Sequence, residues 1–137
     1  MAKKQKAGKA KAFDFVPIPV AIDAFRRGEM VVVADDEKRE NEGDIIVAAE
    51  KLTPSMINFM AKFGRGLICV AMDRDRLAHL GLPRMIPQGE GDRYRTAFMQ
   101  SVDARHGVTT GISAYDRAHT IKVLIDDQSK PQDLIRP

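Results

Sequence analysis

The stretch EMVVVADDEKRENEGDIIVA, residues 29–48, decides the fold, because two apolar runs there enclose a highly charged segment. The runs 29–34 and 44–48 are rich in β-branched residues, a pattern typical of strands that are buried on both faces. Between them, residues 35–44 carry six carboxylates and two basic side chains. We therefore predict two buried strands joined by this segment, which we call the acidic loop.

Start and stop signals predict four helices along the rest of the chain. The start signals are Pro19, Thr53 followed by Pro54, Asp73 and Ser113. The first three helices are expected to end at Gly28, Gly64 and Gly81. In the fourth helix, Asp116 stands three residues after Ser113, which is the spacing of a capping box.

Two further apolar runs, residues 66–72 and 96–102, predict additional buried strands. Residues 82–92 contain two prolines and two glycines and predict a loop, and no regular element is expected in residues 128–137. Strands and helices alternate without an internal repeat. We therefore expect an α+β fold of mixed α/β layers, with a mixed sheet covered by helices.

The composition is that of a globular protein with a basic tail. The 137 residues are 44% hydrophobic and 30% charged, and five of the 22 basic residues lie in residues 1–12. This tail has no apolar anchor, so we expect it to be disordered and a single folded domain to occupy residues 13–137. The rest of the chain has 17 basic and 19 acidic residues. It also has no basic stripe interleaved with aromatic residues, the pattern typical of nucleic-acid-binding surfaces. We expect no nucleic-acid partner, and salt-dependent binding through the tail is the alternative.

Cysteine usage and hydropathy indicate the compartment. The single cysteine, Cys69, excludes an intramolecular disulfide, and no Cys/His spacing indicates zinc. No apolar run approaches the roughly 18 to 20 residues that span a bilayer, and the lysine-rich start lacks the apolar part of a signal peptide. We expect a cytoplasmic protein without a membrane partner. By its apolar surroundings, Cys69 is interpreted as a small buried core residue.

The acidic loop contains the first candidates for chemistry. If residues 40–44 are extended, Glu40, Glu42 and Asp44 point to one side about 7 Å apart. At an effective dielectric near 20, each neighbouring pair would then repel by roughly 2 kcal/mol, which a divalent cation, a guanidinium or solvent would offset. Magnesium suits such a loop, and Arg39 offers a fork for a phosphate or a sugar hydroxyl. On charge pattern alone, a sugar-phosphate site and a solvated acidic hairpin both remain open.

The stretch GVTTG, residues 107–111, contains the second candidates, and we call it the threonine turn. Its hydroxyl groups and free backbone N–H groups precede a helix, whose dipole favours an anion at this end. Ordinary capping by Ser113 and a glycine turn would explain the same pattern. Phosphate binding and simple capping are therefore alternatives here.

Residues 35–44, DDEKRENEGD, closely resemble the signature loop of the 3,4-dihydroxy-2-butanone 4-phosphate synthases of riboflavin biosynthesis. The RENEGD part, residues 39–44, is the most specific. The resemblance runs from about Ile22 to Pro137. It is also carried by residues 66–70, 101–104, 107–114 and 133–137.

The resemblance implies roles for individual residues. Glu40 would be a metal ligand, Arg39 and Asp44 would contact the substrate, and Glu42 would lie on a flexible loop that closes over it. The candidate catalytic residues are Glu42, Asp44 and Cys69. The candidate substrate-binding residues are Arg39, Glu40, Asp44, Asp103, Thr109 and Thr110.

The resemblance also implies a reaction, cofactors and partners. The family converts D-ribulose 5-phosphate to 3,4-dihydroxy-2-butanone 4-phosphate and formate with magnesium or manganese, as two divalent ions, and related enzymes are homodimers. The family pattern continues past Pro137 to a histidine metal ligand and an essential glutamate. We therefore expect these 137 residues alone to leave apolar faces and strand edges uncovered and to lack a complete active site. An inactive relative that binds a sugar phosphate or a protein is the alternative.

Overall fold

The structure is a computed structural model that describes residues 14–87, 89–90, 94 and 96–136. The basic tail, residues 1–12, lies outside the described residues. The helices are α1 (Ile18–Arg26), α2 (Pro54–Phe59), α3 (Arg74–His79) and α4 (Ala114–Ile125). The strands are β1 (Val31–Ala34), β2 (Gly43–Ile46), β3 (Asp103–Ala104) and β4 (Leu134–Ile135). Shorter turns are the 3₁₀ turns Ala49–Lys51 and Pro131–Asp133 and the π turn Met60–Gly64.

All four predicted helices form, because their end signals are local. The side chains of Thr53, Asp73 and Ser113 each accept a hydrogen bond from the backbone N–H three residues further on, at 3.3, 2.7 and 3.0 Å. Each bond satisfies one of the N–H groups that a helix start leaves without a partner inside the helix. The π turn continues α2 and ends at Arg65, whose φ of 60° is left-handed. The helix predictions are confirmed.

The two predicted strands around the acidic loop pair as an antiparallel hairpin, in the register Val31 with Ile46 and Ala34 with Gly43. Their expected burial on both faces is wrong for these residues, since Val32 is 72% exposed. Helix α1 packs on β1 and the π turn on β2. A hairpin of two strands with so little cover keeps much of its apolar surface in solvent.

The other strand predictions fail, and the failures have one cause. No strand forms in residues 66–72, and within 96–102 only Met99 makes an isolated bridge, to Arg84. A strand is held by hydrogen bonds to a neighbour, and none of the described strands pairs with residues 66–72. The C-terminal residues, for which we expected no element, form a 3₁₀ turn and β4, which pairs antiparallel with β3. The α+β class is confirmed, while the described strands form two antiparallel pairs in place of one mixed sheet.

Helix α4 supplies residues to both parts of the core. One cluster packs α4 against α2, and the other packs it against the end of α3 and β4. The first cluster is Leu52, Ile57, Ala118 and Ile121, and the second is Leu80, Leu82, Leu124 and Leu134. Complete burial of a side chain such as Ile57 stabilises the fold by about 1.5 to 3 kcal/mol. Helix α4 therefore connects the two core clusters, and neighbouring loops pack against it.

The described helices are also short. In the part of the chain that the structure describes, no helix has the length and apolar character needed to cross a bilayer.

Candidate active site

The acidic loop is organised by Asp35. Its carboxylate accepts the backbone N–H of Glu42 at 2.8 Å and that of Glu40 at 3.0 Å, and Arg39 Nη1 lies 2.9 Å from Asp35 Oδ2. The backbone N–H of Asp35 donates to the carbonyl of Glu42. The Glu42 N–H, followed by the Glu40 N–H and the Arg39 guanidinium, keeps the pKa of the Asp35 carboxyl below its ordinary value. An ionised Asp35 therefore fixes the path of the loop.

The extended arrangement that we considered for residues 40–44 does not form. Residues 37–40 form a turn, and Asn41 adopts a left-handed conformation with φ of 53°. The chain becomes extended only from Gly43 onward, where β2 begins. Because Asp35 holds two N–H groups of the loop, Glu40, Glu42 and Asp44 do not form a row on one strand face.

A guanidinium is one group that balances the negative charge of the loop. Arg39 Nη1 contacts Glu40 Oε2 at 2.7 Å in addition to Asp35, and the hydrogen bond to Asp35 leads the causes that raise the pKa of Arg39. Tyr94 supports this arginine, since its hydroxyl donates to the Arg39 carbonyl at 2.7 Å and its ring centroid lies 5.4 Å from Arg39 Cζ. Sequence reasoning missed Tyr94, because no pattern marks an isolated aromatic residue in a polar segment.

The acidic loop can supply one carboxylate ligand to a hydrated magnesium ion. Glu40 is 28% exposed, and the contact with Arg39 uses one of its two carboxylate oxygens. In the described ranges, no group of three or more His, Cys, Asp or Glu side chains is placed to hold a metal. Magnesium commonly takes one or two carboxylates and completes its shell with water and ligand oxygens. Glu40 therefore fits as a single protein ligand from this part of the chain.

Asp44 and Cys69 line the same groove, whose volume is about 430 Å³. The groove is lined by residues of β2 and of the segment 66–71, together with apolar side chains that include Leu52, Ile57 and Ile121. Cys69 is exposed, so its interpretation as a buried core residue is wrong. The reason is that residues 66–72, without a paired strand, keep several side chains in solvent.

The threonine turn is held by a buried carboxylate on α4. Asp116 is 5% exposed and accepts the Thr109 hydroxyl at 2.8 Å and the Thr109 N–H at 3.2 Å. The Thr109 hydroxyl is the largest cause that lowers the Asp116 pKa, and the Thr109 N–H, the Ser113 hydroxyl and the Gly111 N–H add to this effect. The N–H groups of Thr109 and Gly111, which we expected to be free, are therefore directed at Asp116. This carboxylate already supplies an anion at the N-terminus of α4.

Asp103 lies against the same turn. Gly111 has φ of +80°, and a Cβ added to it would lie 2.5 Å from Asp103 Oδ1 and Cγ. Asp103, Thr109 and Thr110, three of the predicted substrate-binding residues, therefore occupy one region, and Thr110 is exposed there.

The predicted site residues thus fall into three groups in the structure. Arg39, Glu40 and Glu42 belong to the acidic loop, Asp44 and Cys69 to the groove, and Asp103, Thr109 and Thr110 to the threonine turn. Among the described residues, no hydrogen bond links the acidic loop to the threonine turn. The two organising carboxylates, Asp35 and Asp116, were not among the predicted site residues, although a DD pair after a strand and an S-x-x-D spacing mark their positions.

Comparison with known proteins identifies first the class, proteins of riboflavin biosynthesis. The chain is 53% identical to riboflavin biosynthesis protein RibBA of Aquifex aeolicus, a match that covers 91% of this chain and 31% of that protein. It is 52% identical to the 3,4-dihydroxy-2-butanone 4-phosphate synthase of Agrobacterium fabrum, over 85% of this chain and 54% of the relative. The corresponding enzyme of Neisseria meningitidis serogroup B is 48% identical, with 88% and 33% covered.

Solved structures and a family model then identify the family. A crystal structure of 3,4-dihydroxy-2-butanone 4-phosphate synthase in complex with two magnesium ions matches with a TM-score of 0.85 and 44% identity, over 90% of this chain and 57% of that one. The cation-free form matches with a TM-score of 0.81 and 43% identity, over 90% and 56%. The family model of 3,4-dihydroxy-2-butanone 4-phosphate synthase matches residues 19–137. The chain belongs to this family, and it spans about one third to just over one half of the length of these relatives.

Proposed function

We propose that the protein carrying these residues converts D-ribulose 5-phosphate to 3,4-dihydroxy-2-butanone 4-phosphate and formate. The family match over residues 19–137 supports this proposal, and the observation that carries it is the geometry of residues 39–44. There, an ordered loop presents a guanidinium and a carboxylate side by side. We further propose a cytoplasmic homodimer, with no nucleic-acid or membrane partner.

The loop side chains suit the binding of a polar, anionic sugar. Arg39 Nη1 is shared by Asp35 and Glu40, and the side chain remains 49% exposed, so part of the guanidinium stays available for a phosphate or a sugar hydroxyl. Asp44 stands at the rim of the groove, at the start of β2. The Glu42 side chain is exposed, while its backbone N–H and carbonyl are both hydrogen-bonded to Asp35. Glu42 and Asp44 are the carboxylates proposed to move protons at carbons next to a ketone.

Glu40 is the proposed metal ligand, for magnesium or manganese. Two divalent ions, when bound, supply positive charge that stabilises the negative charge developing on neighbouring substrate oxygens. The relative that contains two magnesium ions supports this proposal, as does the oxygen chemistry of Glu40. Cys69, exposed in the groove with Asp44, is proposed to lie beside the reacting part of the substrate.

The threonine turn is the proposed site for the other end of the substrate. Thr110 offers an exposed hydroxyl group there, Thr109 lies next to it in the same turn, and Asp103 lies against the turn from β3. A carboxylate in this position suits a sugar hydroxyl, which can donate a hydrogen bond to it.

The test is formate release from D-ribulose 5-phosphate by the full-length protein with magnesium present. Glu40→Gln should lower kcat/KM by about 100-fold or more, the loss typical of removing a group that stabilises transition-state charge. Glu50→Gln is the matched control, because Glu50 has a 73% exposed side chain and only a 4.0 Å contact with Lys51. It should leave turnover within about twofold, since surface ion pairs contribute little. Equal activity of Glu40→Gln and the wild-type protein would contradict the proposed role, and no formate from the wild-type protein would contradict the function.

A further inference from the structure

The side of α4 that faces residues 104–111 is polar, which its core packing does not explain. Asp116 and Thr120 are 5% and 6% exposed, and His119 lies between them in sequence. The apolar residues Ala118 and Ile121 pack against α2 and belong to the core. Burying polar groups costs free energy unless they form hydrogen bonds, so the partners of these side chains show what they do.

The Asp116 carboxylate forms hydrogen bonds with the turn that precedes α4. In a capping box, the acid at this position would accept the N–H of the capping residue, here Ser113. The N–H groups that reach Asp116 come instead from Thr109 and Gly111, together with the hydroxyl groups of Thr109 and Ser113. The carboxylate therefore fixes the conformation of residues 109–111.

His119 and Thr120 hold the same segment at two further points. His119 Nε2 lies 3.0 Å from the carbonyl oxygen of His106, and a Cβ on Gly107 would lie 2.7 Å from that nitrogen. The Thr120 hydroxyl oxygen accepts the N–H of Ala104 at 3.0 Å. Residues 104–111 are thus held along one side of α4.

We propose that Asp116 is a positioning residue for the threonine turn, acting through Thr109 to place the turn for a sugar-phosphate ligand. The nature of the ligand rests on the proposed function, whereas the positioning of the turn does not. The Thr109 hydroxyl proton is directed at Asp116, so it is not available to a phosphate. The main role of this hydroxyl is therefore to hold the turn. The ligand contacts other groups of the threonine turn, whose positions are set by the hydrogen bonds between Asp116 and Thr109.

The first test compares Asp116→Asn with the wild-type full-length protein. Asparagine keeps the shape of the side chain but replaces one acceptor oxygen with an NH₂ donor, which would face groups that donate already. We expect KM for D-ribulose 5-phosphate to rise by about 10-fold or more, within the range seen when the support of a ligand-contacting group is removed. A purely structural role would lower the active fraction, and with it kcat, at unchanged KM. Asp75→Asn, which removes an exposed acid from the first turn of α3, is the matched control and should not change KM.

Substitutions of Thr109 test the same pair from the other side. Thr109→Val removes the hydroxyl and should raise KM as Asp116→Asn does, while Thr109→Ser restores a hydroxyl and should recover most of that increase. The double variant of Thr109→Val and Asp116→Asn should be no worse than the more impaired single variant, because the two groups act as a unit. Unchanged KM in folded Thr109→Val would overturn the inference even if Asp116→Asn fails to fold.

Amide hydrogen exchange separates this inference from the proposed function. In Asp116→Asn, or in Thr109→Val if the first does not fold, the amides of Thr109 and Gly111 should exchange about 10-fold faster or more, while that of Ile57 should not change. Unchanged exchange at both turn amides would overturn the positioning role. Faster exchange in a protein that does not turn over D-ribulose 5-phosphate would support the positioning role and contradict the function alone.

Discussion

Replacing Gly111 with alanine tests how closely the threonine turn approaches Asp103. Gly111 is buried and has φ of +80°, and its added Cβ would lie 2.5 Å from Asp103 Oδ1 and Cγ. Unbonded heavy atoms pack favourably at about 3.5 to 4.0 Å, so either the turn or the Asp103 side chain must move. The substitution therefore adds backbone strain and a steric overlap at one position.

The two contributions can be estimated separately. A left-handed backbone costs an L-residue roughly 1 to 2 kcal/mol relative to glycine. Forcing an extra carbon into a packed position typically costs about 1 to 3 kcal/mol more. We therefore expect Gly111→Ala to lower the free energy of unfolding by about 2 to 5 kcal/mol by these two terms.

Gly89→Ala is the matched control for the backbone contribution. Gly89 also has a positive φ, of +98°, but among the residues that the structure describes, none beyond its chain neighbours has an atom within 4 Å of its added Cβ. It should cost only about 1 to 2 kcal/mol. The difference between the two variants then measures the overlap with Asp103.

Urea unfolding followed by circular dichroism provides the measurement, with an unchanged m value as the check that only stability has changed. Adding Asp103→Ala to Gly111→Ala should recover stability, with a coupling free energy of about 0.5 kcal/mol or more, because the residues are in contact. Equal losses in Gly111→Ala and Gly89→Ala, or no recovery in the double variant, would refute the close approach.

Three further predictions concern the core, the acidic loop and a helix cap. Ile57→Ala should lower the free energy of unfolding by about 2 to 5 kcal/mol, because Ile57 is 1% exposed, whereas Phe63→Ala, at a 60% exposed position, should cost much less in the same urea experiment. Folding lowers the pKa of Asp35 from its ordinary value of 3.8. The ionised carboxylate therefore stabilises the folded state above pH 3.8, and this stabilisation is lost as the pH falls through the lower pKa of the folded state. Asp35→Asn should therefore reduce the loss of stability seen as the pH falls through and below 3.8, and an unchanged pH profile would contradict the role given to Asp35. Thr53→Ala should cost about 1 kcal/mol and lower the melting temperature, while Thr53→Ser should retain the cap, and equal losses in both would exclude the hydroxyl as its source.

The helices could be predicted from the sequence because their causes lie within a few residues. Thr53, Asp73 and Ser113 are capping residues in sequence and cap helices in the structure. The β1–β2 hairpin was predictable for a similar reason, since its two strands are separated by one short loop. Local signals thus account for the part of the fold with short sequence separation.

The remaining strands depend on residues far away in the sequence. Residues 66–72 have strand composition, but composition does not supply a pairing partner. Leu134 and Ile135 have no strand pattern around them, yet they pair with Asp103 and Ala104, about thirty residues earlier in the chain. Because a two-residue strand has almost no periodicity, only its distant partner identifies it.

The candidate site was predictable in composition but not in geometry. The sequence marks residues 39–44 as chemically unusual, and the structure places Arg39 and Glu40 side by side there. The extended row of carboxylates that we considered does not form, because sequence spacing does not show which acid will accept the backbone N–H groups of the loop. The acid that accepts them is Asp35, because the end of β1 places Asp35 beside Glu42, where the chain turns back toward β2.

The acidic loop and the threonine turn use the same physical device. In each, one aspartate accepts hydrogen bonds from both backbone and side-chain donors. These donors are the N–H groups of Glu40 and Glu42 and the Arg39 guanidinium for Asp35, and the N–H and hydroxyl of Thr109 for Asp116. Hydrogen bonds to a carboxylate in this position favour its ionised form and offset the entropy that the loop loses on ordering. Its charge is then satisfied within the protein, so it has little left to offer a ligand. We therefore expect the neighbouring side chains, which these aspartates position, to contact the ligand. This explains why the aspartate that organises each loop was not among the site residues predicted from the sequence.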